Sequence, residues 1–230
     1  MTDFFKIEGQ NEDVPFYNGI PEISKLSWIV LVIGLILYLI TSRYIINSIS
    51  ELQFSLLSTA VILIPILYVT KGKITLFFKG LSYKDIVPII GFALAGLIYS
   101  YIIAIILSGN LHAGIAPGGY TNINELIILA VQLIGEELFK IIMLVLFMAA
   151  IYKFSKNRKL SIILAGLQTL IIFGLCHETG IETLHKVLLV QGFGSVFNLI
   201  LYIQTKNVTA TYASHFIYDL LPDMIALMHF

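Results

Sequence analysis

Residues 123–150 read INELIILAVQLIGEELFKIIMLVLFMAA. Inside them, Gly135-Glu136-Glu137-Leu138-Phe139-Lys140 sets two adjacent carboxylates and a lysine in an apolar run of membrane-spanning length. Ionisable groups at mid-membrane depth cost about 2.5–3.5 kcal/mol each on insertion. Such a group is tolerated only where it faces a protein interior or a water-filled pocket. The rest of the chain is therefore read for what else faces that pocket.

Of the 230 residues, 58% are hydrophobic and 12% charged, and the mean hydropathy is +0.92. A soluble domain carries about 25% charged residues, so composition alone indicates an all-α, polytopic transmembrane bundle with the lipid bilayer as its surroundings. The formal net charge is zero, which implies neither a nucleic acid nor another highly charged partner. The single cysteine, Cys176, excludes an intramolecular disulfide and a cysteine-rich metal site. Residues 1–26 hold Asp3, Glu8, Glu12, Asp13 and Glu22 against Lys6 and Lys25. That reads as a polar tail before the first span, since a signal peptide would begin with a basic stretch.

Apolar runs predict about seven spans, near 27–41, 54–70, 86–108, 124–150, 161–177, 183–203 and 208–227. Residues 27–230 form one transmembrane domain, with a functional core at about 124–222. The second span contains Pro65, tolerated where neighbours or water satisfy the freed carbonyl. In the third, Gly91, Ala93, Ala95, Gly96 and Ser100 are either a close-packing face or ordinary membrane-helix composition. Residues 109–123, GNLHAGIAPGGYTNI, read as a loop. Lys71, Lys73, Lys79 and Lys84, then Lys153, Lys156, Arg158 and Lys159, fall on one side of a seven-span arrangement with Lys6, Lys25 and Lys206. Arg43 and Lys186 lie on the other, so the positive-inside rule predicts a cytoplasmic N-terminus.

Three helical pairs carry the candidate chemistry: Glu136 with Lys140, Phe173 with His177, and His215 with Asp219, each at i,i+4. Residues four apart share a helix face. Glu137 stands beside the first pair. A Glu–Lys ion pair would explain one carboxylate as purely structural and leave the second over. His112, His185 and His229 lie in loops or at the C-terminus and are expected to be uninvolved. Cys176 neighbours His177 but points about 100° away on a helix, so the two do not form a nucleophile–base pair.

Two chemistries fit these groups. His177, His215, Asp219 and Glu136 could supply a zinc site, although the HExxH motif stops after His177-Glu178. Alternatively a glutamate in an apolar setting can deprotonate a water that attacks an amide carbonyl. Histidines would then stabilise the oxyanion, and Asp219 would orient His215 by accepting its other N–H.

The order and spacing of these motifs resemble the CAAX-protease and bacteriocin-processing (Abi) family of intramembrane proteases. Its pattern is a double glutamate with an arginine four residues past the second, then FxxxH, then HxxxN or HxxxD. Here those are Glu136-Glu137, Phe173-Gly-Leu-Cys-His177 and His215-Phe-Ile-Tyr-Asp219, within residues 124–222. The arginine position is Ile141. The basic residue is Lys140, one place earlier, as in the EExxK form of the PrsW-like proteases, which carry a glutamate where His177 stands. The resemblance implies a membrane-embedded endopeptidase of glutamic type without a cofactor, acting on a peptide or membrane-protein substrate. It implies Glu136 as water-activating base and Glu137 as a structural carboxylate near Lys140, with His177, His215 and Asp219 completing the catalytic site. Peptide maturation or self-immunity to a bacteriocin would suit a bacterial plasma membrane.

Other functions make different demands on the pocket. A protease needs Glu136, His177 and His215 around one cavity. A proton-coupled transporter needs access from both sides, and a non-catalytic immunity protein or scaffold would close its carboxylates with salt bridges. At about 1.5 Å per residue, Glu136 lies roughly 18 Å into its span and His215 about 12 Å into the last. His177, about 24 Å along the fifth span, matches that level only if the span tilts, breaks or begins late.

Overall fold

The computed structural model describes residues 16–17, 20–21, 24–45, 48–109, 120, 122–177 and 180–228. The architecture is all-α, apart from a two-residue antiparallel pairing of β1 (Phe16–Tyr17) with β2 (Ile20–Pro21). Eight helices follow: α1 Lys25–Ile40, α2 Glu51–Val69, α3 Tyr83–Ser108, α4 Ile123–Ser155, α5 Arg158–Cys176, α6 Leu184–Lys186, α7 Val196–Thr205 and α8 Val208–Met228. Among the described residues, five continuous helical stretches are long and apolar enough to cross a membrane: Lys25–Ile45, Glu51–Val69, Tyr83–Ser108, Arg158–Cys176 and Leu184–Thr205. The molecule is a multi-pass membrane bundle. Most of the Gly-rich segment 109–123 and of the N-terminal tail, together with His112, Glu178 and His229, lie outside the described residues.

The bundle is apolar outside and partly polar within. Ile29, Ile33, Ile64, Ile98, Ile106 and Ile163 are exposed, while Ser55, Ser58, Ser100, Thr169 and Ser214 are buried. Helix α4 is the axis. Every residue from Gly135 to Leu146 is buried, as befits a helix that packs on all sides. It starts where Asn122 Oδ1 accepts from the N–H groups of Asn124 and Glu125, while Glu125 accepts from the Asn122 N–H. That reciprocal cap satisfies otherwise orphaned donors.

Two tight turns set the depth of the later helices. Lys156 takes a left-handed φ of 52°, and Asn157 then caps α5 by accepting from the Leu160 N–H. Helices α4 and α5 are thus an antiparallel hairpin. Between α7 and α8, Lys206 takes φ 49°, and Asn207 Oδ1 accepts from the N–H groups of Thr209 and Lys79. This second turn is buried, with Lys206 and Asn207 each 4% exposed, and the Val208 N–H donates to the Phe77 carbonyl. Helix α8 therefore starts inside the bundle, beneath the α2–α3 connection.

The stretch Leu184–Thr205, expected from the sequence as a sixth span, is not one regular helix. After α6 it widens into a π-helical stretch at Val187–Gly192 before α7. The widening accompanies a close crossing. A Cβ on Gly192 would stand 2.7 Å from the Leu170 carbonyl oxygen, and one on Gly174 would stand 3.0 Å from that of Val187. On α3 the small residues divide. Ala93, Gly96 and Ser100 are buried, with Gly96 facing Tyr218 and Phe197, whereas Gly91 has nothing within 4 Å of where its Cβ would be.

Candidate active site

A cavity of about 290 Å³ opens between α3, α4, α5, α8 and the sixth span. Glu136, His177, His215 and Asp219 all line it, and so do Gln132, Gln191, Asn198 and Tyr218. Glu137 and Lys140 stand behind the wall, 1% exposed each.

The hairpin explains how His177 reaches this level. Glu136 stands nineteen residues before the end of α4, and His177 nineteen residues after the start of α5. Counted from their shared turn, the two are level. His215 joins them only seven residues into α8, because that helix begins from a buried turn. Depth counted from a helix start misleads here, because α8 starts from a turn buried in the bundle.

The adjacent carboxylates have opposite surroundings. Glu137 Oε1 meets Lys140 Nζ at 2.5 Å and accepts from His215 Nδ1 at 2.8 Å. Lys140 also sits 4.6 Å from the Phe173 ring centroid, a cation–π placement within the usual 6 Å. Its partner is thus Glu137, three residues earlier, not Glu136, four residues earlier. Glu136 faces the cavity, and its Oε1 accepts from Gln132 Nε2 at 2.7 Å. Among the described residues no cation pairs with it. Thr59 brings α2 against this turn of α4 by donating to the Val131 carbonyl. Gly135 permits the approach, since a Cβ there would lie 2.8 Å from Thr59 Oγ1.

The two histidines are held alike. His177 ends α5, and its Nδ1 lies 2.9 Å from the Phe173 carbonyl oxygen. A carbonyl only accepts, so Nδ1 carries the proton. His215 Nδ1 likewise donates to the Glu137 carboxylate. In the neutral rings, both Nε2 atoms therefore carry lone pairs. The sequence suggested Asp219 as the group that orients His215. The structure gives that position to Glu137, because the imidazole turns across to α4. Asp219 Oδ2 stays 3.7 Å from His215 Nε2, beyond hydrogen-bond length.

A zinc site fits this arrangement poorly. Among the described residues, no three His, Cys, Asp or Glu side chains are grouped as metal ligands would be. Cys176 faces a different groove, between α1 and α5, with Ile36, Ile40 and Arg43. His185 is exposed on α6.

Sequence reasoning missed Gln132, Asn198, Gln191 and the Tyr218–Ser100 pair, whose hydroxyls are 2.7 Å apart. Gln132 was discoverable, one turn before Glu136 on the same face. The others depend on how the sixth span and α3 pack, which no local pattern encodes. Tyr120 lines the cavity from outside the spans, and its phenol is pushed up to about 12. Burial is the main cause, followed by the negative charges of Asp219, Glu136, Asp223 and Glu51. This rim therefore faces a field of carboxylates.

A scan against protein-family models, a search of curated proteins and a search of solved structures each returned no match to this chain.

Proposed function

We propose that the chain is an intramembrane endopeptidase of glutamic type, hydrolysing a peptide bond in a membrane-associated protein or peptide. The observation that carries this reading is the contrast at Glu136-Glu137. One carboxylate is neutralised by Lys140 behind the wall, and the other faces a cavity shared with two histidines. A scaffold would gain nothing from leaving Glu136 without a cation. The motif resemblance to the CAAX-protease and bacteriocin-processing family points the same way. Bacteriocin maturation or self-immunity at a bacterial plasma membrane is the setting it suggests.

In this reading Glu136 removes a proton from a water in the cavity, and Gln132 holds the carboxylate in place. The lone pair on His177 Nε2 accepts the water's other hydrogen and aims the oxygen at the carbonyl carbon. Protonated Glu136 then returns its proton to the leaving amine. Glu137 fixes the His215 ring so that Nε2 stays on the cavity side beside Asp219. Preorganised groups of this kind act without reorganisation at the moment of reaction.

Membrane placement belongs to the same proposal. Helix α4, at 33 residues, and α8, at 21, span about 50 and 31 Å. With the five apolar stretches they would make seven spans, and the lysine and arginine distribution favours a cytoplasmic N-terminus.

The test is cleavage of a synthetic library of twenty-residue apolar peptides by purified protein in detergent, read by mass spectrometry. Wild type should cut a subset and Glu136→Gln none of it. Equal cleavage by Glu136→Gln would remove the proposed base, and zinc-reversible inhibition by a chelator would reassign the chemistry to a metal.

A further inference from the structure

Hydrolysis of an amide places negative charge on the former carbonyl oxygen, and a water-poor cavity must supply an N–H or O–H donor for it. Several of the cavity's donors already have protein partners. Both histidines spend their Nδ1 protons on protein acceptors, Phe173 O and Glu137 Oε1, and in the neutral rings offer only lone pairs. Gln132 Nε2 donates to Glu136. Ser195 Oγ donates to the Gln191 carbonyl, and the Tyr218 hydroxyl is engaged with that of Ser100 at 2.7 Å, where either oxygen can be the donor. An ionised Asp219 only accepts.

Asn198 is different. It sits on α7, is 8% exposed and lines the cavity. Among the described residues its side chain makes no hydrogen bond. Its amide is therefore left open on the side of the cavity it lines. Gln191, seven residues earlier in the π-helical stretch, also has a buried Oε1 with no partner. The residue lines the same cavity, and with nothing holding that oxygen the amide is free to turn it toward an entering group. Two open amides match the donor and acceptor pattern of a peptide main chain.

We propose that Asn198 is the oxyanion donor of this site and that Gln191 seats the neighbouring peptide group of an extended substrate segment. The inference rests on the proteolytic reading above. When the water oxygen bonds to the carbonyl carbon, its proton passes to Glu136 and the C=O π pair moves onto oxygen. Asn198 Nδ2–H donates to that alkoxide. The tetrahedral intermediate collapses by re-forming C=O and breaking C–N, and the amine nitrogen takes the proton from Glu136. No oxidant, reductant or further reactant is needed. Substrates must enter locally unwound, because a helical peptide keeps its carbonyls on its own N–H groups.

The test uses the fastest-cleaved peptide of the library and a trifluoromethyl ketone analogue of it, whose hydrate mimics the tetrahedral state. Asn198→Leu should lower kcat about 10²–10³-fold with KM within about threefold. It should weaken the ketone by a similar factor and leave binding of the parent peptide to a Glu136→Gln background unchanged. Asn198→Gln should recover part of kcat, and Gln191→Leu should act on KM. Thermal melting of each variant guards against misfolding. If Asn198→Leu melts early, Asn198→Asp, of nearly the same shape but without the donor, replaces it and must show the same kcat loss. Unchanged kcat and ketone affinity in a folded variant overturn the assignment and leave proteolysis standing. If wild type cleaves no peptide, the proteolytic reading falls and the assignment falls with it.

Discussion

Helices α1–α3 and helices α4–α8 solve the same problem, polar groups inside a membrane bundle, in different ways. In the first three spans 28%, 28% and 22% of the apolar window is buried, against 44% for both α5 and the sixth span. The outer spans carry buried hydroxyls: Ser58 and Thr70 donate to carbonyls three and four residues back, Ser55 and Ile66, while Thr59 and Ser100 reach across to Val131 on α4 and Tyr218 on α8. The inner helices carry ionisable groups that find partners across helices, such as Glu137 with His215. A neutral hydroxyl needs one carbonyl or hydroxyl partner and leaves the rest of its helix free to face lipid, whereas ionised groups need charged partners that fix several helices in one arrangement. The cavity lies where the second strategy is used.

The sharpest way to break this division is at Glu136 itself. Glu136→Gln keeps the shape and the contact with Gln132, and removes the base. Peptide cleavage should fall by about 10²–10⁴-fold while the melting temperature holds. Lys140→Met is the converse. It leaves Glu137 buried and without its ion-pair partner, a change worth about 3–5 kcal/mol in stability. Melting in detergent should drop, and activity with it. If instead Glu136→Gln melted early and Lys140→Met did not, the roles of the two carboxylates would have to be exchanged.

The roles were only partly legible in the sequence. Ionisable residues in apolar runs announced the pocket, because lipid makes them conspicuous. The i,i+4 spacing put His215 and Asp219 on one face, where they stand 3.7 Å apart, but gave no sign that Glu137 is the closer partner. Spacing along one helix says which side chains share a face, not which neighbouring helix offers a better acceptor. The partnership of Glu137 with His215 joins residues 78 apart in sequence and has no local signature. The buried α7–α8 turn, which decides how deep His215 sits, depends on Asn207 and the Phe77 carbonyl. It is likewise a product of packing. Asn198 looked like one more polar residue in a helix, since its burial without a partner is visible only in three dimensions.

A smaller effect tests how the inner helices are held together. At the crossing of α5 with the sixth span, Gly192→Val would press a side chain toward the Leu170 carbonyl, 2.7 Å from the ideal Cβ position. Backbone cannot yield as a flexible side chain can, and overpacking of this kind costs about 1–3 kcal/mol. The substitution should lower melting and disturb the wall that carries Gln191 and Asn198. Activity should fall more than stability alone explains. An unchanged melt would mean that the π-helical stretch absorbs the strain.

The smallest effect comes from a single helix that belongs to both regions. Gly91 and Gly96 are five residues apart on α3 and face opposite ways. A methyl group at Gly91 meets nothing within 4 Å, while at Gly96 it meets Tyr218 Cδ2 at 3.3 Å. Alanine is favoured over glycine in a helix interior by about 0.8–1.0 kcal/mol. Gly91→Ala should therefore leave melting unchanged or raise it slightly. Gly96→Ala gains the same propensity but must push a ring that Ser100 holds by its hydroxyl, so the two terms oppose and the net change should be lower than at Gly91. The Tyr218 ring also lines the cavity, so Gly96→Ala should alter cleavage even where melting is unmoved. If Gly91→Ala were the more destabilising of the two, the outward face of α3 would have to be covered by another surface rather than by lipid.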